Sequence, residues 1–156
     1  MQVNIGLSEA SRKAVAQILN AVLADAYVLY TKTRNYHWNV KGPHFHDLHK
    51  LFEAQYDTID GAIDEIAERV RSLGEPALGG LKDFLAVTRL SDSAGTLTAP
   101  QMIAALLSDH EAIIRQLRGD IDAVGAQHGD TGNQDFLTGL MEEHEKMAWM
   151  LRSTLE

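Results

Sequence analysis

The sequence has no cysteine among its 156 residues, which excludes disulfide scaffolds, thiol nucleophiles and cysteine-based zinc sites. Proline occurs only three times and aromatic residues make up 6% of the chain, a composition that argues against a strand-rich fold with many turns. Positive charge is also scarce, because 14 Lys and Arg stand against 22 Asp and Glu, for a net charge of −8. Such an acidic surface repels nucleic-acid phosphates and anionic membranes and attracts cations.

Long apolar runs and a secretory signal are lacking as well. No apolar run approaches the ~18–20 residues that span a bilayer, and the N-terminus shows no basic segment followed by an apolar one. We therefore expect a soluble cytoplasmic protein without a membrane partner. A chain of this length corresponds to about one domain, and no linker or repeat divides it, so residues 1–156 are expected to form a single domain.

Four long segments carry apolar residues at the spacing of an α-helix. The predicted helices run from about Ser8 to Asn39, from Phe45 to Leu73, from a capping box at Thr98 to about Val124, and from Asn133 to Leu155. The 24-residue connection between the second and third helices holds one short helical candidate, Leu81 to Val87. A long crossover at that place is typical of ferritin-like bundles. The sequence thus predicts an all-α, ferritin-like four-helix bundle with a short extra helix in the crossover between helices two and three.

Histidines and carboxylates concentrate around the first turn and along the second helix. His37 ends the first helix, His49 and Glu53 stand four residues apart on the second, and Asp64 and Glu68 repeat that spacing eleven residues beyond Glu53. Because eleven residues are close to three turns at ~3.6 residues per turn, the four side chains of the second helix share one face. Histidine and carboxylate together form the usual ligand set for iron, zinc or manganese.

This face points away from the predicted core. The core face of the second helix comprises Leu48, Phe52, Gln55, Ile59, Ala62, Ile66 and Val70. A bundle with an internal di-iron site points its ligands inward, usually through Glu-x-x-His on two helices, and the sequence contains no Glu-x-x-His. An ordinary solvated helix face has the same pattern, so a metal site and a solvated face both stay open at this point.

Helix length limits how these residues can meet. At ~1.5 Å per residue, His49 and Asp64 lie roughly 22 Å apart along the helix axis, whereas metal–ligand bonds are about 2 Å long. Either the chain carries two half-sites, or a second copy of the helix packs antiparallel across a two-fold axis and the two ends meet. In both cases His37 is expected to fold back beside His49 over the turn at Gly42 and Pro43.

The remaining histidines are expected to be structural or superficial. His110 and His144 fall on apolar stripes and are predicted to lie in the core. His44 and His46 flank the first turn and are predicted to lie at the surface. The position of His128 in the sequence does not indicate a role for that side chain.

A family resemblance extends from about Leu19 to the C-terminus. It is carried by His37-Trp38-Asn39-Val40-Lys41-Gly42, Leu48-His49, Phe52-Glu53, Asp64-Glu65-Ile66-Ala67-Glu68-Arg69 and Leu73-Gly74. These segments resemble the Dps family, the DNA-binding proteins from starved cells, also called miniferritins. The resemblance implies a hollow shell of twelve identical four-helix subunits with a ferroxidase centre at each two-fold interface.

Carried over by position, the resemblance implies iron ligands. His37 and His49 are the implied ligands from one subunit, and Asp64 and Glu68 those from its partner, with Glu68 placed to bridge two irons. Glu53 stands on the histidine side, where the family often has aspartate. Two irons occupy a full site, and zinc and manganese are the expected competitors.

Three further residues gain implied roles. Trp38 matches a tryptophan beside the centre, where its ring intercepts oxidising equivalents. Asp130 and Asp135 match acidic residues near a three-fold iron pore; the alternative is that they cap the fourth helix and compensate its dipole. Twelve copies at −8 each carry about −96, a field that draws Fe(II) inward.

The implied function is a ferroxidase and iron store that protects against oxidative stress. The implied reaction oxidises Fe(II), preferably with hydrogen peroxide, and deposits ferric mineral inside the shell. DNA compaction by physical coverage is the alternative, but the lysine-rich tails of DNA-binding members are missing, since only Arg12 and Lys13 precede Lys32 and the chain closes at Ser153-Thr-Leu-Glu156. Weak or absent DNA binding is therefore expected. A third alternative, an interaction or adhesion shell without iron turnover, has no need of this ligand set.

Overall fold

The computed structural model describes residues 3–92 and 95–156, and within these ranges the chain is helical and has no strand. The helices are α1 (Glu9–Asn39), α2 (Phe45–Ser72), α3 (Leu81–Val87), α4 (Ala99–Asp122) and α5 (Thr131–Ser153), with a π-helical segment, Ala123–Gln127, between α4 and α5. The long helices α1, α2, α4 and α5 form a four-helix bundle, and α3 lies in the crossover. The predicted fold class is confirmed, including the short helix.

Side-chain caps mark the starts of α1 and α4. The Ser8 side chain accepts a hydrogen bond from Ser11 N and caps α1. Thr98 and Gln101 form the predicted capping box of α4. At its other end, α4 stops at Asp122, short of the expected Val124, because the chain continues as the π-helical segment.

The bundle is built from two closely packed helix pairs. α1 packs chiefly against α2, and α4 against α5. Leucine and phenylalanine side chains from all four long helices are fully buried between the pairs, among them Leu19, Phe52, Leu106 and Leu137. On α2 the predicted core face is buried except at Ala62, which is only partly covered.

Buried charges hold the crossover against the bundle. Arg89 donates through Nε to Asp25 of α1 (2.7 Å) and through Nη1 to Asp120 of α4 (2.8 Å). Lys32 of α1 likewise donates to Asp109 of α4, with Nζ and Oδ2 2.7 Å apart. These ionic contacts tie α1 and α4 together, because each cation or anion is largely withdrawn from water and satisfied by a charged partner.

α1 is long and apolar enough to cross a membrane by length and composition, with a window of mean hydropathy 1.3. The expectation that no segment approaches a membrane span was therefore wrong on composition. Of that window, 56% is buried inside the bundle, as in the core helix of a helical domain.

Candidate metal centre

The turn between α1 and α2 brings the first two predicted ligands together. Gly42 has a φ of +124°, a backbone conformation that residues with a Cβ rarely adopt. Its carbonyl accepts from Phe45 N at 3.1 Å, which starts α2 immediately after the turn. The end of α1 and the start of α2 therefore lie side by side.

His37 and His49 face each other across this hairpin. Their rings are stacked, with centroids 3.7 Å apart and planes inclined by 18°. His37 Nδ1 lies 2.8 Å from the His49 carbonyl oxygen, and His49 Nδ1 lies 2.9 Å from the His37 carbonyl oxygen. The expected fold-back of His37 beside His49 is confirmed.

These reciprocal hydrogen bonds fix the tautomer of both rings. A carbonyl oxygen only accepts, so each Nδ1 carries a proton and donates it. In a neutral imidazole of this tautomer the free lone pair sits on Nε2, and an Nδ1–H bonded to a backbone carbonyl is a common support for a metal-binding histidine. His37 and His49 thus have the donor chemistry that a divalent metal ion requires.

Glu53 lies one helical turn after His49, but another side chain holds its carboxylate. Lys50 Nζ donates to Glu53 Oε2 at 2.6 Å. This hydrogen bond is the main reason why the pKa of Glu53 is lowered, and the nearby His37 and His49 lower it less. Glu53 is therefore an ionised carboxylate next to the histidine pair and is paired with Lys50, a contact that the sequence reasoning missed.

Asp64 and Glu68 lie exposed farther along α2 and do not meet the histidines within one chain. In residues 3–92 and 95–156 no group of three or more histidine or acidic side chains is arranged to hold a metal ion. A single subunit thus presents two separated sets of donors, and the assignment of all five residues to one centre remains a prediction.

A cluster of aromatic rings around Arg34 reaches the histidine pair through Tyr56. The Arg34 guanidinium carbon lies 5.1 Å from the centroid of Trp38 and 5.4 Å from those of Tyr30 and Tyr56. Trp38 itself is 65% exposed, whereas the Tyr56 ring makes an edge contact with His37 at 5.2 Å. The sequence reasoning missed Arg34 and Tyr56, although the four-residue spacing of Tyr30, Arg34 and Trp38 places them on one face of α1.

Asp130 caps α5, the last of the four long helices. Capping is the role that the sequence offered as the alternative to an iron pore. Its Oδ1 accepts from Asn133 N at 3.0 Å and its Oδ2 from Asn133 Nδ2 at 2.6 Å. This cap is why α5 begins at Thr131 and not at Asn133. Asp130 and Glu68 also line the same polar cavity of about 370 Å³. Asp135 is exposed one turn later, and a pore role for either residue stays a prediction.

His110 and His144 lie in the core as predicted, and the structure pairs them. Their Nδ1 atoms are 2.9 Å apart, so one ring donates and the other accepts. Burial lowers the pKa of both, that of His144 to about 4. His44 and His46 are exposed, also as predicted.

Comparison with known proteins identifies the family. Residues 16–156 match the Ferritin family, described as a ferritin-like domain. An uncharacterised low temperature-induced protein of Nostoc sp. is 49% identical over 156 residues, which cover 99% of this chain and 87% of the relative. DNA protection during starvation protein 2 of Bacillus anthracis is 38% identical over 92% of this chain and 97% of its own.

Comparison with solved structures supports the same family. The crystal structure of a Dps protein from Vibrio cholerae, described as a member of a broad superfamily of ferritin-like diiron-carboxylate proteins, superposes with a TM-score of 0.92. It is 29% identical, and the alignment covers 100% of this chain and 98% of that one. The chain belongs to the Dps family of ferritin-like proteins.

Proposed function

We propose that this chain is the subunit of an iron-oxidising and iron-storing shell. In this proposal a cytoplasmic dodecamer oxidises Fe(II), preferably with hydrogen peroxide, and stores the ferric product inside, which limits oxidative damage. The observation that carries the proposal is the His37–His49 pair, whose hydrogen bonds leave both Nε2 lone pairs for a metal ion. The family described as ferritin-like supports iron as that metal.

The proposed centre combines donors from two subunits. His37 and His49 bind from one chain, and Asp64 and Glu68 from the partner across a two-fold axis, because His49 and Asp64 lie roughly 22 Å apart along α2. Glu53 becomes a third ligand beside the two histidines once its carboxylate separates from the Lys50 ammonium group. Carboxylate oxygens are hard ligands and stabilise Fe(III) more than Fe(II), which favours the oxidation.

The proposed reaction transfers two electrons in one encounter. Two Fe(II) ions each give one electron to hydrogen peroxide, its O–O bond breaks, and two protons complete two water molecules. Two adjacent irons thereby avoid the release of hydroxyl radical. Trp38 is proposed to intercept oxidising equivalents that escape, and Asp130 and Asp135 to attract Fe(II) at a pore.

The deciding experiment follows iron in the purified assembly. Fe(II) is added without oxygen, and then hydrogen peroxide at about half an equivalent per Fe(II). We expect a rapid rise in ferric absorbance and soluble iron that co-elutes with a large assembly. Slow oxidation with precipitated iron, despite an intact assembly, contradicts the proposal.

Histidine variants test the assignment of the ligands. We expect His37→Leu and His49→Leu each to slow peroxide-dependent oxidation at least about tenfold, because each variant loses one Nε2 donor and the ring that stacks on the other histidine at 3.7 Å. The matched control is His46→Leu, an exposed histidine in the first turn of α2, which should keep the original rate. Elution position verifies assembly, and unchanged rates in the first two variants reject the assignment.

A further inference from the structure

Two histidines in the interior of the bundle have no part in the proposed oxidation site. His110 of α4 and His144 of α5 are 0% and 2% exposed, and their Nδ1 atoms lie 2.9 Å apart. Their ring planes are inclined by 52°, with centroids 5.1 Å apart, so the rings touch through their Nδ1 edges and do not stack. Both imidazoles therefore direct a nitrogen atom at one place between α4 and α5.

Two further polar atoms of this interior are buried without a partner. His110 Nε2 and Gln55 Oε1 make no hydrogen bond within the described part of the chain. Gln55 of α2 is 2% exposed, and its Nε2 donates in a long hydrogen bond of 3.3 Å to the carbonyl oxygen of Met147, three residues beyond His144. Buried polar atoms are nearly always paired in native proteins, so this arrangement calls for a further interaction.

Charge limits which ions the two histidines can hold. Burial lowers the pKa of both, so both imidazoles are neutral at neutral pH and each has a lone pair to give. In residues 3–92 and 95–156 no acidic side chain completes the pair to a group of three ligands, and the chain has no cysteine. A divalent ion would keep its full double charge in the core, where loss of hydration is most costly, so a monovalent ion is favoured.

The number of ligands favours the same kind of ion. Zn²⁺ takes four ligands, whereas Cu⁺ is stable with two nitrogen ligands in line, and imidazole is a common ligand of copper. Two bonds of about 2 Å in line would place the Nδ1 atoms roughly 4 Å apart, so the pair at 2.9 Å has to widen by about 1 Å. Small rotations of both side chains supply such a movement.

We propose that His110 and His144 form a binding site for one Cu⁺ ion inside each subunit. The ion binds both Nδ1 atoms and replaces the hydrogen bond between them. Each neutral ring then carries its proton on Nε2, so the ring that donated from Nδ1 moves its proton to Nε2 and no proton is released. His110 Nε2 thereby becomes a donor, and Gln55 Oε1 is its proposed acceptor, the kind of second hydrogen bond that orients a metal-binding histidine.

The site would keep copper away from hydrogen peroxide, because an ion enclosed in the core is out of contact with solvent. This role does not depend on the proposed oxidation of iron. It requires only that α4 and α5 open transiently so that the ion can enter.

Competition with bicinchoninate tests the site, because the Cu⁺ complex of this chelator is coloured. The metal-free assembly is incubated with Cu⁺ and the chelator without oxygen until the absorbance is constant. We expect the double variant His110→Leu with His144→Leu to bind one Cu⁺ per chain fewer than the original. The variant His37→Leu with His49→Leu should retain this ion, which separates the core site from the histidine pair at the turn.

The controls distinguish the site from other histidines and from damage to the fold. The variant His44→Leu with His46→Leu loses two exposed histidines and should bind as much Cu⁺ as the original. Gln55→Leu should keep the stoichiometry and weaken binding at least about tenfold, because the acceptor for His110 is lost. Elution position verifies assembly. X-ray absorption at the copper edge of the His37→Leu, His49→Leu variant should show two nitrogen neighbours.

Three outcomes overturn the site. One is equal Cu⁺ stoichiometry in the original chain and in an assembled His110→Leu, His144→Leu variant. Another is a copper spectrum with oxygen neighbours or with more than two ligands, and this spectrum alone decides if the double core variant does not assemble. The third is displacement of the Cu⁺ by an equal concentration of Zn²⁺, which contradicts selection of a monovalent ion.

Discussion

At the scale of single residues, contacts outside the proposed ligand set orient the proposed centre. The His37 and His49 rings are each oriented by the backbone carbonyl of the other residue. Glu53, one methylene longer than aspartate, reaches back to Lys50 at i−3 instead of lying free. A metal ion that recruits Glu53 must first separate this pair.

Replacing Lys50 tests that competition. In Lys50→Met the Glu53 carboxylate has no ammonium partner, so a divalent ion at the histidine pair should bind about two- to fivefold more tightly, the range expected for an exposed ion pair. Binding of Co²⁺ to the apo-assembly, followed by its visible absorption, measures the change. Lys82→Met, an exposed lysine on α3, is the control, and equal affinities for both variants contradict the competition.

Asp130 has a structural role that is separable from its charge. Asparagine caps helices as well as aspartate does, whereas alanine loses the cap at a cost of about 1 kcal/mol. Asparagine keeps one acceptor oxygen for Asn133 N but loses the second acceptor, to which Asn133 Nδ2 donates. We therefore expect Asp130→Ala to lower the free energy of unfolding by about that amount and Asp130→Asn to lower it less, as measured by urea titration at fixed subunit concentration. If Asp130→Asn also slows iron uptake, the pore role is supported independently; a stable Asp130→Ala rejects the capping role.

At the scale of elements, the α4–α5 pair contains a polar contact in its interior. His110 and His144 are 0% and 2% exposed and bond only through their Nδ1 atoms in the contacts described. His110 Nε2 is buried without a hydrogen-bond partner. Burial lowers the pKa of both rings because an imidazolium there loses its hydration.

This pair predicts how stability depends on pH. The histidine pKa is near 6.5 in the unfolded chain and lower in the folded one, about 4 for His144, so the unfolded chain binds more protons between these values. Stability is full above pH 6.5 and should fall by up to about 1.4 kcal/mol per pH unit for each histidine as the pH decreases. Chemical unfolding between pH 4.5 and 7 measures this slope.

The double variant His110→Leu with His144→Leu isolates the source of that slope. Replacing both hydrogen-bonded partners by apolar residues of similar size leaves no orphaned polar atom. We expect a flatter dependence on pH than in the original chain, while His128→Leu, which alters a histidine outside this pair, should change the slope much less. An unchanged slope in the double variant would show that other groups cause the acid sensitivity.

Sequence patterns predicted elements better than contacts between them. The apolar period, the capping box at Thr98 and the Gly42-Pro43 turn determined the helices, because these signals are local. The core positions of His110 and His144 followed from the same period, but their pairing did not, since the register between α4 and α5 depends on packing of the whole interface. The Lys50–Glu53 contact was missed for a similar reason, because several rotamers of both side chains were possible.

At the scale of the whole molecule, net charge determines how strongly the assembly binds DNA. With 14 Lys and Arg against 22 Asp and Glu in each chain, counterion release from DNA should be small. We expect no retardation of duplex DNA at physiological salt in a gel-shift titration. A variant with a lysine-rich N-terminal extension is the positive control and should retard DNA in a salt-dependent way; strong retardation by the original chain at physiological salt would restore DNA coverage as a function.

The same negative charge should accelerate the uptake of Fe(II). The proposed shell of twelve chains would carry about −96 and attract Fe(II) over a distance set by the Debye length, about 10 Å at 0.1 M salt. The rate of iron uptake at low Fe(II) should therefore fall as ionic strength rises, whereas uptake of a neutral solute of similar size should not. Stopped-flow measurements at several salt concentrations test this, and a salt-independent rate contradicts electrostatic attraction.

In the proposed function, the separation of His49 from Asp64 and Glu68 along α2 makes iron oxidation a property of a pair of chains. A subunit with His49→Leu keeps Asp64 and Glu68, and a subunit with Glu68→Gln keeps both histidines. Each variant alone has only damaged centres, but a mixed pair joins the intact halves at one of its two centres. Random co-assembly in equal amounts should thus restore about a quarter of the centres, so two defective alleles in one cell complement each other.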